Sequence, residues 1–592
     1  MARHLPGLFA GILCLGAGLA PATAQRANEQ TAPSQVRARS TPAALPQPLA
    51  TADAARLRHA FEAQARGDFA TAVRESERLD DRRLMGSLLA DRYLRGEASI
   101  YELQAWLADF SDLPDAPAVH EALVGRLPRG ASAPPPPSQP EIAAEVLPEE
   151  REPAGPRLVR DAGLERTVQQ RLVDNNLEGA LTLIQARRGL SNAYLGQLKA
   201  EMSQTLFRLG RDADAWRMGQ EALRLTPNNA FAAYQAGLAA WGAEQFEGAF
   251  AAFERAARND KAPPTLRAAA AFWTARSAVR ARRPAQYVPW MLQAAQEPRT
   301  FYGMIARRSL GLPPGLVWER DVANESHAQQ LTETAGGWRA LALLQVGQNA
   351  RAEAELRLLQ RRTRNNSQVT QGILTVAQSA GLTSLATQVA SLASGDDGRA
   401  RDIARFPLPT LLPSGGFRMD PSLLYALALQ ESRFDASAIS PAGARGILQI
   451  MPATASYVAN DPSLRGEGIE RLHDPGFGLE IGQRYIHYLA RHEMVRSDLV
   501  RLLAAYNAGP GNLIRWLPAT RHRSDPLLFI ESIPINETRS FVSRVLTFSW
   551  IYANRLGLPT PSLDQIAGGN FPTFANVEQV TAMLRERPRR SN

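Results

Sequence analysis

The run DPSLLYALALQESRF, residues 420–434, decides how this chain is interpreted. Asp420 followed by Pro421 predicts a helix start, because an aspartate oxygen caps free backbone N–H groups and proline suits the first helical position. Leu427 and Glu431 then lie four residues apart, on one face of that helix. The run therefore predicts a helix that carries a carboxylate on its apolar side.

A carboxylate on an apolar face has a specific chemical use. Removal from water raises the pKa of such a group, so that Glu431 stays protonated near neutral pH and acts as a general acid. The alternative is a half-exposed glutamate at a helix end, paired with Arg433 or Arg445. The helix alone does not decide between the two, and the motifs that follow favour the acid.

Four short motifs stand in order along this part of the chain. They are Glu431-Ser432, the glycine loop of residues 440–446 continuing into GILQIMP at 446–452, AYNAG at 505–509, and ESIP at 531–534 with ETR at 537–539. Together they resemble the catalytic domain of the soluble lytic transglycosylases, which are relatives of goose-type lysozyme. One departure is visible: after Asp474-Pro475 the family usually has an asparagine where this chain has Gly478.

The resemblance implies a lyase that acts on peptidoglycan with one glutamate. Glu431 would protonate the β-1,4 glycosidic oxygen between N-acetylmuramic acid and N-acetylglucosamine, with the muramic N-acetyl group assisting. The ionised Glu431 would then remove the proton of the C6 hydroxyl, which attacks C1. The product is a 1,6-anhydro sugar, and no water is consumed.

The same resemblance implies a set of sugar-binding residues around Glu431. Tyr506 and Asn507 have an alternative interpretation, as buried polar residues whose hydrogen bonds tie helices together, and Met451 alone would more often fill a core. The implied substrate-binding residues are Ser440, Gln449, Met451, Tyr506, Asn507 and Glu531.

Two other functions compete with the transglycosylase. A muramidase that uses water needs a second carboxylate or a positioned water opposite Glu431. The candidates for that carboxylate are Asp435, Asp474, Glu480 and Glu531. A non-enzymatic scaffold that only grips glycan has no need of a buried acid, so an intact Glu431 counts against it.

The amino terminus predicts export. Residues 1–24 combine a basic start, an apolar run and small residues, as a secretory signal peptide does, and the apolar run is too short for a membrane span. We expect a soluble periplasmic protein. Cys14, the only cysteine, lies in this leader, and the eight histidines show no metal spacing, so no metal and no organic cofactor are expected.

The rest of the chain predicts a mainly α fold, with a superhelical solenoid of tetratricopeptide type before a lysozyme-like catalytic domain. Gly237 and Phe253 fit a repeat of about 34 residues. The expected domains are a disordered tail at 25–50, helices of the superhelical domain at 51–128, a proline-rich linker at 129–157, the superhelical domain at 158–400, the catalytic domain at 405–560 and a tail at 561–592.

The net charge of +9 is almost wholly arginine, since Lys199 and Lys261 are the only lysines. A basic chain suits nucleic acid, an anionic membrane or the carboxylate-bearing peptides of cell wall, and predicted export counts against nucleic acid. The expected partners are peptidoglycan glycan strands, held by the solenoid. Proteins of cell-wall synthesis or division are a further class that such a solenoid admits.

Overall fold

The computed structural model describes residues 44–586 with short gaps. The gaps are residues 97, 129, 139–146, 152–157, 320–324, 364–365, 393–400, 410, 519 and 521–522. The predicted signal peptide and most of the predicted amino-terminal tail therefore lie outside the described residues, as do parts of the proline-rich stretch. The described residues all belong to one compact unit, and the predicted domain boundaries stay a prediction.

Within the described residues, five helices precede the proline-rich stretch. They are α1 (Thr51–Ala65), α2 (Phe69–Glu77), α3 (Met85–Arg95), α4 (Ile100–Phe110) and α5 (Ala116–Val124). Ser99 and Glu102 form a capping box at the start of α4, in which each side chain bonds the other's backbone N–H group. Leu103 and Trp106 of α4 are buried against α3 and α5.

The second group of helices contains the stacked pairs. It comprises α6 (Ala162–Val173), α7 (Leu177–Ala186), α8 (Asn192–Arg208), α9 (Asp212–Leu225), α10 (Ala230–Gly242), α11 (Phe246–Ala257), α12 (Pro264–Arg280), α13 (Tyr287–Ala294) and α14 (Phe301–Ser309), with a 3-10 turn at Pro284–Gln286. Most of these helices pack mainly on their neighbours in sequence. A Cβ atom on Gly237 would lie 2.5 Å from the ring of Phe253, so the glycine lets α10 and α11 approach closely.

A third group of helices follows, and the amino-terminal helices pack against it. It comprises α15 (Glu325–Gln330), α16 (Ala335–Gln345), α17 (Asn349–Arg362), α18 (Ser367–Ser379), α19 (Thr383–Ala390) and α20 (Asp402–Arg405), with a 3-10 turn at Leu331–Glu333. Gln345 exchanges two hydrogen bonds of 3.0 Å with the backbone of Leu49. Arg351 pairs with Asp91 at 3.0 Å and with Asp115 at 2.6 Å. Helices α1–α5 thus pack on a part of the chain more than 200 residues away.

A short acidic segment of the proline-rich stretch is ordered between these groups. Residues 147–150, here called the acidic clip, end in the 3-10 helix Pro148–Glu150. Both oxygens of Glu149 bond the guanidinium of Arg405, at 2.7 and 2.8 Å. Glu150 accepts from Arg544 at 2.6 Å. The clip therefore binds α20 and the later helix α27 at once.

The remaining helices hold the predicted catalytic segment. They are α21 (Pro421–Ser432), α22 (Pro452–Ala459), α23 (Pro475–Arg491), α24 (Leu499–Ala508), α25 (Pro510–Trp516), α26 (Pro526–Ser532), α27 (Asn536–Leu556), α28 (Pro561–Ala567) and α29 (Val577–Glu586), with 3-10 turns at Pro462–Arg465 and Ile469–His473. As predicted, Asp420 caps α21, accepting from the backbone N–H of Ser422 at 2.8 Å. One continuous apolar core joins these helices to α6–α14.

The end of the described chain packs on this segment. The backbone N–H of Leu499 donates to the carbonyl of Pro572, and that of Phe574 donates to Ser497, both at 2.8 Å. Residues 561–586, which fall in the predicted tail, therefore form α28 and α29 against the catalytic segment.

The predicted mainly α class is confirmed. Across the described ranges the only β-type pairing consists of isolated bridges, such as that between Ile439 and Arg445. In the same ranges no helix has both the length and the apolar character that crossing a bilayer requires.

Candidate active site

Glu431 lies in the last turn of α21, where the helix stops abruptly. Arg433 and Phe434 follow with φ of +54° and +66°, so the chain turns through two left-handed residues. The hydroxyl of Ser432 donates to the carbonyl of Ile447 at 2.8 Å. This bond ties the end of the helix to the loop that precedes α22, and it fixes where the carboxyl of Glu431 stands.

The electrostatics around Glu431 favour its neutral form. Burial raises its pKa to about 8, and the negative charge of Glu537 adds to the effect. Among the described residues no ion pair reaches Glu431, and Arg445 instead pairs with Glu470 at 3.1 Å. A half-buried carboxyl with this pKa is protonated at neutral pH, as a general acid must be.

The loop between α21 and α22 is held by its own side chains. The amide of Gln449 donates to the carbonyls of Ala438 and Gly446, at 3.0 and 2.8 Å. The hydroxyl of Ser440 accepts from the backbone N–H of Ala444 at 3.0 Å. Two of the predicted sugar-binding residues, Ser440 and Gln449, therefore shape this loop.

Glycine is required at one point of the loop, and one predicted residue is open to solvent. Gly446 has φ of +72°, and a Cβ atom there would lie 2.0 Å from the carbonyl oxygen of Leu472. Met451, which immediately precedes α22, is 41% exposed. An exposed methionine beside a rigid loop offers an adaptable apolar contact.

Tyr506 joins this loop to α24. Its hydroxyl donates to the carbonyl of Leu448 at 2.8 Å, and its ring stacks on Phe541 with centroids 6.0 Å apart. Burial raises the pKa of Tyr506 well above its usual value, and the charge of Glu431 contributes to the rise. The structure therefore brings Tyr506 close to Glu431, where it also serves the packing role given above as the alternative.

Asn507 lies next to Tyr506 but bonds in another direction. Its Oδ1 accepts from the hydroxyl of Thr538 at 2.7 Å, which ties α24 to the first turn of α27. Thr538 directly follows Glu537, the carboxylate whose charge acts on Glu431. Asn507 thus helps to hold the turn that carries the second carboxylate of this site.

Glu531 is placed at the seam between α26 and the stacked helices. It is 7% exposed, and its Oε1 accepts from the hydroxyls of Tyr234 and Tyr302, at 2.8 and 2.7 Å. Tyr302 in turn accepts from the indole of Trp273 at 3.0 Å. These bonds suit a positioning residue that joins the two parts of the molecule. The sugar contact expected of Glu531 stays a prediction.

Three of the other carboxylates considered for a water-using mechanism have structural partners. Asp435 accepts from the backbone and the hydroxyl of Ser437, at 2.9 and 2.6 Å. Asp474 caps α23. Glu480 is buried between two arginines. None of these contacts directs a carboxylate at Glu431.

Glu537 is the residue that sequence reasoning missed. It lay inside the quoted ETR motif, yet spacing alone does not show that the first turn of α27 approaches Glu431. The sequence does contain one signal for Glu537: it follows Pro534 by three residues and is the acidic residue in the first turn of a long helix. Proximity across 106 residues of sequence comes only from the packing of α21 on α27.

The departure at Gly478 leaves the start of α23 intact. The backbone N–H of Gly478 donates to the carbonyl of Asp474 at 2.8 Å, and the side chain of Asp474 accepts from Phe477 at 2.7 Å. A Cβ atom at Gly478 would lie 3.3 Å from the carbonyl oxygen of Leu472. The helix start is therefore capped without an asparagine.

Comparison with known proteins points to one group. Residues 414–529 match the family described as "Transglycosylase SLT domain", which confirms the resemblance for that segment. Over 139 residues the chain is 37% identical to the soluble lytic murein transglycosylase of Salmonella typhimurium, and over 145 residues it is 36% identical to that of Escherichia coli K12. These matches cover 23% and 24% of this chain, but only 21% and 22% of the relatives.

The fold comparison extends further along the chain. An inactive mutant of the lytic transglycosylase Slt from Pseudomonas aeruginosa superposes with a TM-score of 0.54 at 19% identity. The superposition covers 86% of this chain and 87% of the other. The similarity of fold therefore includes the stacked helices as well as the segment with Glu431.

Proposed function

We propose that this chain, whose residues 414–529 belong to the transglycosylase SLT domain family, is a lytic transglycosylase that cleaves peptidoglycan. The bond cleaved is the β-1,4 bond between N-acetylmuramic acid and N-acetylglucosamine. The observation that carries the proposal is Glu431, a half-buried carboxyl with a pKa of about 8 at the end of a helix in that segment. Such a group is a proton donor at neutral pH.

The reaction proceeds in two steps on the same carboxyl group. Glu431 gives its proton to the glycosidic oxygen as the bond to C1 breaks, while the N-acetyl carbonyl oxygen of the muramic acid bonds to C1. The ionised Glu431 then takes the proton of the C6 hydroxyl, whose oxygen displaces the N-acetyl oxygen at C1. The 1,6-anhydro end forms, and Glu431 is again protonated.

The raised pKa suits both steps. An acid with a pKa of about 8 is almost fully protonated when the substrate binds at neutral pH. Its conjugate base is stronger than an ordinary carboxylate, so it accepts the hydroxyl proton more readily. The charge of Glu537 favours the protonated form of Glu431 and also stabilises positive charge that develops at C1.

The neighbouring residues have proposed roles around this carboxyl. Tyr506 holds the loop through the carbonyl of Leu448 and presents its phenol beside Glu431. Ser440, Gln449 and Met451 line the path of the sugar chain. Asn507 holds the turn of Glu537 through Thr538, and Glu531 keeps the catalytic segment on the stacked helices.

The place of action is proposed from the predicted leader. Residues 1–24 would direct the chain to the periplasm, where peptidoglycan lies. The solenoid would hold a glycan strand and present it to Glu431. Proteins of cell-wall synthesis or division stay predicted partners.

Digestion of purified peptidoglycan sacculi tests this function. The chain without residues 1–24 is compared with its Glu431→Gln and Glu493→Gln variants, and the products are identified by chromatography and mass spectrometry. Glu493 is a matched control, because it is an exposed glutamate of the same segment. We expect products lighter by one water than hydrolysed muropeptides from the unchanged chain and the control, and none from Glu431→Gln.

The charge of Glu537 near Glu431 supports one competing function, a muramidase in which Glu537 activates water. That enzyme would yield fully hydrated reducing ends, and its Glu537→Gln variant would lose them. Hydrated ends from the unchanged chain would replace the transglycosylase by the muramidase. An absence of products from every variant would favour a glycan-binding scaffold.

A further inference from the structure

One arginine of the stacked helices reaches into the catalytic segment. Arg208 is the last residue of α8, and its guanidinium contacts the turn between α26 and α27. Its Nη1 donates to the carbonyl oxygen of Pro534 at 3.1 Å, and its Nη2 donates to Oδ1 of Asn536 at 2.6 Å. The partners lie 326 and 328 residues further along the chain. The guanidinium therefore holds the turn at residues 534–536 through two separate acceptors.

This turn leads directly into the carboxylate that acts on Glu431. Helix α27 begins at Asn536, so Glu537 lies in its first turn. Burial and then the negative charge of Glu537 raise the pKa of Glu431, and α27 packs on α21, the helix that carries Glu431. A shift of the turn at residues 534–536 would carry the start of α27 with it. The position of Glu537 relative to Glu431 thus depends on what holds this turn.

The catalytic segment holds the same region from its own side. The hydroxyl of Thr538 donates to Oδ1 of Asn507 at 2.7 Å, and Arg539 donates to Oδ1 of Asn536 at 3.2 Å. Glu537 lies between these two anchored residues. One anchor, Asn536, is shared with Arg208 of the stacked helices. Both parts of the molecule therefore contribute to the placement of Glu537.

The surroundings of Arg208 are unfavourable for a cation. Burial and then the like charge of Arg539 lower the pKa of Arg208, while the charge of Glu531 acts in the opposite direction. Within the part of the chain that the structure describes, Arg208 forms no ion pair, and its Nε is buried without a hydrogen-bond partner. A cation in such a place adds little to stability by itself. What Arg208 does provide is the pair of bonds to the turn.

We propose that Arg208 is a positioning residue for the reaction at Glu431: its two hydrogen bonds hold the turn at residues 534–536, and the turn holds Glu537 beside Glu431. The proposal rests on the proposed function for the reaction, and on the contacts of Arg208 for the placement. The groups that face Glu431 are Glu537 from α27 and Tyr506 from α24. Burial raises the pKa of Tyr506 well above its usual value, so the phenol stays neutral. Loosening the turn therefore acts on Glu431 through Glu537.

The sign of the effect separates positioning from simple electrostatics. If Glu537 moves away from Glu431, its charge no longer opposes ionisation, and the pKa of Glu431 falls. Loss of the positive charge of Arg208 would by itself raise the pKa of Glu431. Arg208→Gln should therefore lower the titration midpoint of Glu431 if the arginine acts by placing Glu537.

Carbon-13 NMR of the Glu431 carboxyl measures this midpoint. The chain without residues 1–24 is labelled at the side-chain carboxyl carbon of glutamate, and the Glu431 resonance is assigned by its absence from Glu431→Gln. The titrated variants are Arg208→Gln, Arg208→Lys, Glu537→Gln and the double variant Arg208→Gln/Glu537→Gln. The control is Arg523→Gln, an exposed arginine that pairs with Glu244 of the stacked helices at 2.8 Å. Digestion of sacculi by each variant gives kcat against pH.

We expect Glu537→Gln to lower the midpoint of Glu431 by about 0.5, since the charge of an exposed residue is partly screened by water. Arg208→Gln should lower it by a similar amount, and the double variant should be no lower than Glu537→Gln alone. Arg208→Lys keeps the charge without the planar fork, so its midpoint should lie between Arg208→Gln and the unchanged chain. Arg523→Gln should leave the midpoint unchanged. The alkaline limb of kcat should move with the midpoint.

A raised midpoint in Arg208→Gln would assign the arginine to electrostatics and overturn the proposal. An unchanged midpoint in both Arg208 variants would show that the turn stays in place without Arg208. A double variant lower than Glu537→Gln by the full effect of Arg208→Gln would show that Arg208 acts by a route other than Glu537.

Two further points keep the test decisive. Circular dichroism establishes that each variant is folded, and if Arg208→Gln is not, Arg208→Lys and Asn536→Ala, which removes the shared acceptor, take its place with the same expected fall. If the midpoints fall as expected while the unchanged chain gives no 1,6-anhydro products, the placement of Glu537 by Arg208 stands and the proposed reaction fails. If the anhydro products appear and the midpoints do not fall, only the positioning role fails.

Discussion

Replacement of Glu431 by glutamine should stabilise the protein at neutral and alkaline pH. The pKa of Glu431 is raised from its ordinary value of 4.5 to about 8 in the folded chain. The folded state therefore holds a proton that the unfolded state releases. This stability is fully present below about pH 4.5 and is lost as the pH rises through about 8. Glutamine keeps the shape of the neutral acid and never ionises, so the stability of the variant does not fall as the pH rises through this range.

The size of the effect follows from the shift. Each pKa unit corresponds to about 1.4 kcal/mol, so at pH 7 an interval of about 2.5 units from the unfolded pKa gives a ceiling of about 3.4 kcal/mol. Glu431 is only half-buried, so solvent screens part of this effect and we expect about 2 kcal/mol at pH 7. With an unfolding entropy of about 2.1 cal/mol/K per residue, that corresponds to about 2 °C in Tm for this chain.

Differential scanning calorimetry at pH 4.5, 6, 7 and 8 measures the difference. The Tm of Glu431→Gln should equal that of the unchanged chain at pH 4.5 and exceed it increasingly up to pH 8. Glu493→Gln, at an exposed position, should follow the unchanged chain throughout. A gain that is the same at every pH, or a loss of stability at pH 8, would refute the inference that burial keeps Glu431 protonated.

Three further substitutions test the supports of the site. Tyr506→Phe removes one hydrogen bond to the loop, worth about 1 kcal/mol. The variant should release anhydro products with a kcat about fivefold lower and with little change in Tm. An unchanged kcat would contradict the proposed role of Tyr506 in holding the loop beside Glu431. Gly446→Ala places a Cβ atom on left-handed backbone, against a carbonyl oxygen, and should lower the free energy of unfolding by more than about 2 kcal/mol in urea titration. An unaltered urea midpoint would show that the loop changes its conformation to accommodate the methyl group. Glu149→Gln leaves the nearly buried Arg405 without its counter-ion and should lower the free energy of unfolding by about 3 kcal/mol. The exposed control Glu178→Gln should cause no measurable change. Equal urea midpoints for the two variants would show that the acidic clip does not contribute to stability.

Local chemistry accounts for what the sequence predicted well. Asp420 and Pro421 placed the start of α21, and the helical period placed Glu431 on its apolar side, because capping and periodicity act over a few residues. Gly237 and Phe253 were assigned to a helical repeat, and the structure places them in contact between α10 and α11. Motif order then identified the family segment that the comparison confirms.

Contacts between distant parts of the chain could not be predicted from the sequence. The approach of Glu537 to Glu431 depends on how α27 crosses α21, and the burial of Glu531 depends on Tyr234 and Tyr302 of other helices. A composition rich in proline predicted an extended linker, yet Glu149 and its neighbour bond arginines elsewhere in the chain. Ion pairs of this kind produce no pattern in the local sequence, because each partner alone looks like an ordinary surface residue.

The acidic clip has a consequence for the order in which the molecule is completed. Glu149 lies 256 residues before Arg405, and Glu150 lies 394 residues before Arg544. A chain synthesised from its amino terminus therefore carries Glu149 unpaired until Arg405 has emerged, and Glu150 unpaired until Arg544, near the end of the chain, has emerged. Closing loops of such length is slow compared with forming neighbouring helix pairs. The clip thus forms late, and the helix that carries Glu537 receives its last contacts only when the chain is nearly whole.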